Sequence, residues 1–443
     1  MSAQGLPQNP GISGWLAILP DAPAFPRLEH HVTADWLVIG AGFAGLSAAL
    51  RLRDLCPGDR IVVLDACRVA EGPAGRNSGF MIDLPHDLAS ADYGGDLSSD
   101  AHQIQGNRHA IAFAKAAQDR FDMPSDTLRH EGKINGAGTN RGLRQNRDYA
   151  RHLHALDQPH ELLDARQMRA ITGSDFYLGG LFTPGTAVLQ PAQYIRELAK
   201  GLVGLGVSIY ENSPVTLLKR NTIWRANTPN GSASAPKVIL AVNGHVQSFG
   251  HFANRLMHVH TYASMTRALT SDECARLGGH DHWGITPADP MGSTIRRISG
   301  LGGTRLVVRN RFTYDPSMRV PKGRLARIAR DHDTAFKARF KTLCDVEMQY
   351  RWGGQLCLSR NNSPAFAEVD TDLYTACCQN GLGTTKGTLA GILAAEKATG
   401  HDSALLQQFE ALPPPPSLPP GIIFTPAARS YLRWSERRAG AEL

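Results

Sequence analysis

Residues 40–45 have the types and spacing that bind a dinucleotide. They form the motif Gly-Ala-Gly-Phe-Ala-Gly, and Asp65 follows twenty residues after Gly45. Gly40 permits a tight turn, Gly42 lets the backbone approach a pyrophosphate, and Gly45 lets a helix pack closely on a strand. The Asp65 carboxylate can accept hydrogen bonds from a ribose diol. The pattern therefore predicts a nucleotide cofactor rather than a glycine turn without a ligand.

Two strands and a helix must position this motif. An apolar strand is predicted over residues 35–39, a helix with small alanines over 46–55, and a second strand over 61–64. Together they form a βαβ unit, whose helix presents free N–H groups and the positive end of its dipole to the phosphates. Three neighbours complete the predicted phosphate and ribose site: Phe43, Ala44 and Ala66.

Two further segments favour FAD over NAD. Residues 71–80 form a loop rich in glycine, arginine and asparagine, which a simple nicotinamide dehydrogenase does not need. Residues 379–387 form a glycine turn that opens another helix, whose N-terminus can stabilise negative charge on a reduced flavin. The FAD-binding candidates in these segments are Gly75, Arg76, Asn77, Ser78, Gly79, Phe80, Met81, Gly381, Gly383, Thr384, Thr385 and Lys386.

The chain resembles the D-amino acid oxidase (DAO) family of FAD-dependent oxidoreductases over residues 25–400. The resemblance rests on the N-terminal arm, the glycine motif, the GRNSG sequence at 75–79, the Trp352-Gly353-Gly354 turn and the NGLGTTKG sequence at 380–387. It indicates the branch of γ-glutamylputrescine oxidase-like and glycine or sarcosine oxidase-like enzymes. Residues 75–84 are also similar to bacterial oxidases of secondary amino acids such as iminodiacetate.

The resemblance implies an α/β fold with two interleaved domains. A doubly wound Rossmann-type FAD-binding domain would comprise residues 31–85, 171–250 and 345–400. An α+β substrate domain built on a mixed or antiparallel sheet would comprise 86–170 and 251–344. Residues 1–30 would be an extended arm, and 401–443 a proline-rich tail. By family position, further FAD contacts are expected at Val215, Ala241, Asn243, Gly244, Trp352 and Gly353.

The resemblance also implies the chemistry. Family members oxidise a C–H bond next to an amine by passing a hydride to flavin N5, and the imine then hydrolyses. Reoxidation by O2 would give hydrogen peroxide. We expect FAD to be bound without a covalent link, with a thioether at Cys377 or Cys378 as the alternative. We expect no metal site, because the close histidine pairs 30–31 and 258/260 lack partners at recognisable spacing.

A substrate carboxylate needs a fixed positive donor, and arginine suits it because its planar fork makes two hydrogen bonds. Arg305 and Arg309 lie on the strand that follows the main candidates. Alternation along a strand directs neighbours such as Arg296 and Arg297 to opposite faces, so one of the two is expected to face the flavin. The substrate-site candidates are Arg296, Arg297, Arg267 and Tyr262.

Composition excludes several classes of protein. The 443 residues are 42% hydrophobic, which rules out a wholly disordered chain, and no stretch approaches the roughly 20 apolar residues of a membrane span. The N-terminus lacks the basic region of a secretory signal. Seven scattered cysteines without a CxxC pair suit a reduced, cytoplasmic setting. The oligomeric state is not indicated.

Three alternatives to an oxidase of a carboxylated amine remain. The first is a dehydrogenase of the same fold that passes electrons to a quinone or carrier, and the second is a polyamine-type oxidase. The third is an FAD-dependent nucleic-acid-modifying protein, suggested by the net charge of +7. The positive residues are scattered, however, and the densest stretch, 319–341, has apolar residues at helical spacing, which is typical of an amphipathic surface helix. We therefore expect no nucleic-acid or membrane partner.

The cofactor prediction can be tested by acid precipitation. A yellow protein that holds FAD without a covalent bond should release the flavin into the supernatant when the chain unfolds. Absorbance of the supernatant and of the redissolved pellet measures the partition. Colour that stays with the pellet would contradict this prediction and point to Cys377 or Cys378 as the linked residue.

Overall fold

The computed structural model describes residues 5–86, 90 and 93–443. Its central parallel sheet consists of β2 (Trp36–Ile39), β3 (Ile61–Leu64), β10 (Ser208–Tyr210), β14 (Lys237–Leu240), β20 (Ala365–Asp370) and β21 (Leu373–Cys377). The strand order is β10-β3-β2-β14-β21-β20, and only the edge pair β20–β21 is antiparallel among the described strands. The inner strands β2 and β3 are buried along their whole length, as parallel strands covered on both faces must be.

The structure describes eleven α-helices, some of which cover one face of this sheet. The described helices are α1 (Gly14–Ala17), α2 (Phe43–Leu55), α3 (Leu97–Arg120), α4 (Asn140–Ala155), α5 (Ala165–Thr172), α6 (Pro191–Gly204), α7 (Ser271–Leu277), α8 (Arg324–Arg339), α9 (Thr385–Thr399), α10 (Ala404–Glu410) and α11 (Gly421–Ala439). Helix α2 packs against α9 so closely that a Cβ on Gly391 would lie 2.1 Å from the Ala44 carbonyl oxygen. The predicted βαβ unit is confirmed, with its helix beginning at Phe43.

A small antiparallel sheet covers the other face of the parallel sheet. It consists of β1 (His31–Thr33), β11 (Leu217–Arg220), β12 (Trp224–Asn227) and β13 (Ser232–Ala235), and only β1–β13 is a parallel pair among these strands. Buried residues of both sheets form one apolar cluster. A separate three-stranded sheet joins β4 (Phe80–Met81), β5 (Leu128–Arg129) and β9 (Ala187–Leu189).

The second domain is built on an eight-stranded mixed sheet. Its strands are β6 (Lys133–Ala137), β7 (Glu161–Asp164), β8 (Gly179–Thr183), β15 (Met257–Thr266), β16 (Trp283–Pro287), β17 (Thr294–Ile298), β18 (Arg305–Tyr314) and β19 (Met348–Leu358). The order is β19-β15-β18-β17-β16-β6-β8-β7, and among the described pairs only β16–β6 is parallel. The predicted α/β class with a mixed second sheet is confirmed.

Sheet membership differs from the predicted domain boundaries at two places. Strand β8 follows the predicted boundary at 171, and β19 follows that at 345, yet both belong to the eight-stranded sheet. The physical reason is that β8 and β19 pair with strands distant in sequence, β6 and β15, which local patterns do not reveal. The remaining domain division stays a prediction.

The two terminal segments are more ordered than the sequence suggested. The arm contains α1, whose Trp15 is fully buried. In the tail, the prolines form a strap, in which Pro415 accepts a hydrogen bond from Arg255 at 2.7 Å. Helix α11 then packs on β18 through Phe424, Ala428 and Leu432.

The predicted amphipathic helix in 319–341 is confirmed as α8, which buries Ile328, Ala335 and Phe336. Over the described part of the chain, none of the helices combines the length and the apolar character that crossing a membrane requires.

Glu442 connects the tail to the eight-stranded domain. Its buried carboxylate accepts hydrogen bonds from the backbone N–H groups of Gly138 and Thr139 at 2.9 and 3.0 Å and from the Thr139 hydroxyl at 2.9 Å. We expect Glu442→Ala to lower the free energy of unfolding by about 1–3 kcal/mol, because it leaves buried donors unpaired. Glu410→Ala is the control, since it removes a half-exposed ion pair with Lys397 worth about 0–1 kcal/mol. Denaturant titration compares the variants, and equal losses would contradict this role.

Candidate active site

One long cavity of about 290 Å³ runs between the two domains. At one end lie the glycine motif and Asp65, in the middle lies the 71–81 loop, and at the other end lie residues of the eight-stranded sheet. Fifteen predicted cofactor residues line it: Gly40, Gly42, Phe43, Ala44, Asp65, Ala66, Asn77, Ser78, Phe80, Val215, Ala241, Asn243, Gly381, Gly383 and Thr384.

The Asp65 carboxylate is held by backbone donors at the end of β3. Its two oxygens accept hydrogen bonds from Ala41 N–H at 2.7 Å and Cys67 N–H at 2.8 Å. Burial raises the pKa of Asp65 to about 6, and these backbone hydrogen bonds oppose the rise. The carboxylate therefore stands oriented at the cavity wall with lone pairs left for a ribose diol.

The three glycines of the motif have different structural roles. Gly40 has φ +108°, and a Cβ there would lie 2.5 Å from the Ala241 carbonyl oxygen. A Cβ on Gly45 would lie 1.7 Å from the Gly40 carbonyl oxygen, so no side chain fits. A Cβ on Gly42 meets only Ala74 Cβ, at 3.6 Å, because this position faces the cavity. Gly40 and Gly45 are thus required by the fold, and Gly42 by whatever occupies the cavity.

Four successive carbonyl groups of the 71–81 loop are held by side chains from outside it. Ser13 Oγ donates to the Gly75 carbonyl at 2.7 Å, and Trp352 Nε1 donates to the Arg76 carbonyl at 2.9 Å. Trp15 Nε1 donates to the Asn77 carbonyl at 2.8 Å, and Arg296 Nη1 donates to the Ser78 carbonyl at 3.0 Å. The arm and two strands of the eight-stranded sheet therefore fix the path of this loop, with these four pairs: Ser13–Gly75, Trp352–Arg76, Trp15–Asn77 and Arg296–Ser78.

The start of α9 completes this part of the wall. Thr384 Oγ1 donates to the Phe80 carbonyl at 2.5 Å and so joins the helix to the loop. Ten predicted cofactor residues are not among those that line the cavity: Gly45, Gly75, Arg76, Gly79, Met81, Gly244, Trp352, Gly353, Thr385 and Lys386.

The structure does not bring the four substrate-site candidates to the cavity wall. Arg296 is buried and directs Nη1 to the carbonyls of Ser78 and Leu189, so its charge serves the loop. Arg297 points to the opposite sheet face and donates to the Gly278 carbonyl and to Asp281. These two arginines do alternate as expected, but neither lines the cavity.

The other two candidates are corrected in the same way. Arg267 forms a bidentate ion pair with Glu273 at 2.6 and 2.8 Å near the surface. Tyr262 is fully buried and its hydroxyl binds Thr313 Oγ1 at 2.7 Å. Both residues have their polar groups satisfied inside the protein.

Arg309 is the arginine of the eight-stranded sheet that lines the cavity, whereas Arg68 lines it beside Asp65 and Cys67. Its guanidinium lies over the Phe312 ring at 4.7 Å, and within the described chain no carboxylate pairs with it. Burial lowers the pKa of Arg309 to about 10, which leaves it charged at neutral pH. Arg309 follows Arg305 by four residues, so strand alternation places both on the same face of the sheet. The sequence alone does not show that the arginines before Arg309 bind other groups of the protein.

Three further wall residues were missed at this end: His86, Thr286 and Thr294. The His86 ring stacks on Tyr93, with ring centroids 4.3 Å apart. Burial, together with the positive charges of Lys133, Arg309 and Lys386, holds the pKa of His86 well below its usual value, so the ring is neutral at pH 7. The sequence signal for Thr286 is its alternation with the apolar Ile285 and Pro287 on β16, whereas Thr294 has no such signal.

Cys377 is a protonated thiol beside the cavity. Burial raises the pKa of Cys377 to about 12, and its Sγ lies 3.3 Å from the Leu240 carbonyl oxygen in the apolar core. Cys378 is equally buried and does not line the cavity. In the described residues, no group of three or more His, Cys, Asp or Glu side chains is arranged to hold a metal ion.

The cavity has a dinucleotide motif at one end and is covered by a second, mixed sheet. This combination defines a two-domain flavin-dependent oxidoreductase. The chain matches the DAO family, FAD dependent oxidoreductase, over residues 35–397. It therefore belongs to the DAO family of FAD-dependent oxidoreductases.

Two curated relatives align along most of the chain. It is 28% identical over 403 residues to the probable oxidoreductase OrdL of Haemophilus influenzae, covering 89% of this chain and 88% of the relative. It is 27% identical over 405 residues to the γ-glutamylputrescine oxidoreductase of Escherichia coli, covering 88% and 89%.

Solved structures show the same fold. Glycine oxidase from Geobacillus kaustophilus superposes with a TM-score of 0.70 at 17% identity, covering 85% of this chain and 98% of that one. Iminodiacetate oxidase from Chelativorans sp. BNC1 superposes with a TM-score of 0.64 at 16% identity, covering 83% and 96%.

The cavity residues fit the family's cofactor, FAD. In the described chain, three buried polar atoms at the cavity have no hydrogen-bond partner: Asn243 Oδ1, His245 Nδ1 and Gln379 Oε1. Such atoms are costly unless a ligand or water pairs with them. Asp65 would hold the ribose, the start of α2 the pyrophosphate, and the 71–81 loop with Gly381–Thr384 the flavin.

Two glycine variants separate cofactor binding from folding. Gly42→Val should fold and lose FAD, because its side chain projects into the cavity and meets only Ala74 in the protein. Gly45→Ala should lower stability or prevent folding, because its Cβ would overlap the Gly40 carbonyl oxygen. Flavin absorbance per chain and circular dichroism of the two purified proteins measure these effects. A folded Gly42→Val protein with full flavin occupancy would disprove the assignment of the pyrophosphate site.

Proposed function

We propose that the protein is an FAD-dependent oxidase of a secondary amine or amino acid that carries a carboxylate, for which iminodiacetate is the representative substrate. The observation that carries the proposal is Arg309, a charged guanidinium at the cavity wall with no carboxylate partner in the described chain. The relatives' names support the amine class, since γ-glutamylputrescine, glycine and iminodiacetate are all amines.

Charge favours an anionic substrate over a polyamine. Among the described residues that line the cavity, Asp65 is the single carboxylate, and it lies at the nucleotide end. A polycation would enter the other end beside Arg309 without a counter-charge, which is costly in a buried site. A substrate carboxylate instead recovers its lost hydration through the two parallel hydrogen bonds of an arginine.

The same positive surroundings prepare the amine. Bound FAD supplies the acceptor for the two electrons and the hydrogen that leave the substrate. Before that step the ammonium must lose a proton, and a nearby like charge such as Arg309 lowers the pKa of a bound ammonium. The roof of the eight-stranded sheet excludes water, and Arg309 fixes the carboxylate so that the adjacent C–H bond has one orientation. We infer that O2 is the electron acceptor, which gives hydrogen peroxide.

Arg309→Met tests the carboxylate site. We expect kcat/KM for iminodiacetate to fall by a factor corresponding to about 2–4 kcal/mol, because the substrate charge becomes buried and unpaired. An uncharged secondary amine of similar size should lose far less. Arg267→Met is the matched control, since it removes an arginine whose charge is paired with Glu273 away from the cavity.

The assay should follow peroxide and substrate together. Peroxide formed in step with substrate loss supports an oxidase, whereas turnover that needs an added quinone would show a dehydrogenase. The proposal fails if Arg309→Met keeps the wild-type preference for the acidic amine, or if the wild type prefers a polyamine without a carboxylate.

A further inference from the structure

A row of polar side chains crosses four neighbouring strands on the cavity face of the eight-stranded sheet. Arg309 on β18 pairs with Thr294 on β17, and Thr286 on β16 pairs with Asn135 on β6. The register of β16 and β17 places Thr286 opposite Thr294. Arg309, Thr294 and Thr286 line the cavity. The polar surface therefore continues beyond the one residue that the proposed function uses.

A buried lysine lies at the far end of this row. Lys133 precedes Asn135 by two residues on β6 and so shares its face. The Lys133 amine donates to Asn135 Oδ1 and, at 3.4 Å, to Thr286 Oγ1, and the Thr286 hydroxyl donates to Asn135 Oδ1 at 2.7 Å. Lys133 is 2% exposed and Asn135 is fully buried. The three side chains form one network that reaches the cavity through Thr286.

This network has more donors than acceptors. An ammonium has three N–H donors and an amide NH2 group has two. In the described chain the Lys133 amine has two acceptors, and Asn135 Nδ2 has no hydrogen-bond partner. The field of Asp83 acts on Lys133, but Asp83 is itself paired with Arg108 at 3.2 Å. A buried positive charge favours an anion nearby, and Thr286 is the member of this network that lines the cavity.

We propose that Lys133, Asn135 and Thr286 form a second anion subsite, which binds the distal carboxylate of a dicarboxylic amine whose first carboxylate is bound by Arg309. This inference rests on the proposed function and assigns the residues that would select a diacid such as iminodiacetate among carboxylated amines. Thr286 touches the substrate: its hydroxyl turns its one proton from Asn135 Oδ1 to the carboxylate, while the Lys133 amine keeps Asn135 Oδ1 paired. Lys133 is thus a positioning residue that also supplies the charge.

The spacing of the row suits a small diacid. Thr286 and Arg309 are two strands apart, about 10 Å between their backbones, and both side chains point into the same cavity. Iminodiacetate has three atoms between its carboxyl groups, which leaves room for a hydrogen bond at each end.

The test uses unreactive analogues and the oxidised holoenzyme. Diglycolate replaces the amine of iminodiacetate by an ether oxygen, and methoxyacetate is its counterpart with one carboxylate. Changes in flavin absorbance on titration give a Kd for each. We expect wild type to bind diglycolate at least about 10-fold more tightly than methoxyacetate, the size of one hydrogen bond to a charged group. Lys133→Met should reduce this ratio to near one without weakening methoxyacetate binding.

Two further variants keep the test decisive. Thr286→Val removes the hydroxyl and keeps the side-chain shape, so it should lower the ratio even if Lys133→Met does not fold. Lys200→Met is the control, because this lysine is exposed on α6. A wild type without preference for diglycolate, or a Thr286→Val protein that keeps it, would overturn the subsite. Holoenzyme that binds diglycolate selectively but oxidises no carboxylated amine would overturn the proposed function and leave the subsite standing.

Discussion

The cavity depends on the requirement that buried backbone carbonyl groups find hydrogen-bond donors. The 71–81 loop passes beside the cavity with little regular secondary structure. Its carbonyl groups are therefore not paired within a helix or a sheet of the loop itself. Donors come from the arm through Ser13 and Trp15, and from the eight-stranded sheet through Arg296 and Trp352. These contacts hold both domains and the arm to one short segment, and they set the shape of the space between the nucleotide motif and the roof.

The same requirement divides the positive charges of the roof into two groups. The Arg296 guanidinium donates to carbonyl groups of the loop and of Leu189. Arg297 is paired with Asp281 on the opposite face of the sheet, and Arg267 is paired with Glu273 near the surface. Arg309 and Lys133 remain without a carboxylate partner in contact among the described residues. A buried cation that no protein carboxylate neutralises is costly, which supports the proposal that the substrate supplies the compensating negative charge.

Local patterns predicted the fold best where an element is specified by its own residues. The βαβ unit, the strand at Lys237–Leu240, the amphipathic α8 and the glycine turn before α9 all appear close to their expected positions. The ordered tail was not foreseen, because α11 contains Pro426 and is held largely by packing on β18. The assignments of β8 and β19 to the second sheet likewise depend on pairings with strands distant in sequence.

By itself the sequence determined the cofactor class, since the glycine motif and Asp65 are a contiguous βαβ feature whose geometry follows from local conformation. It also predicted that strand arginines would be the substrate donors, and it showed that neighbours such as Arg296 and Arg297 would alternate between faces. Only the tertiary structure decided which arginine of the eight-stranded sheet faces the cavity. That choice depends on which carbonyls and carboxylates from distant segments already occupy the others, and it left Arg309 beside Thr294, Thr286 and the buried Lys133.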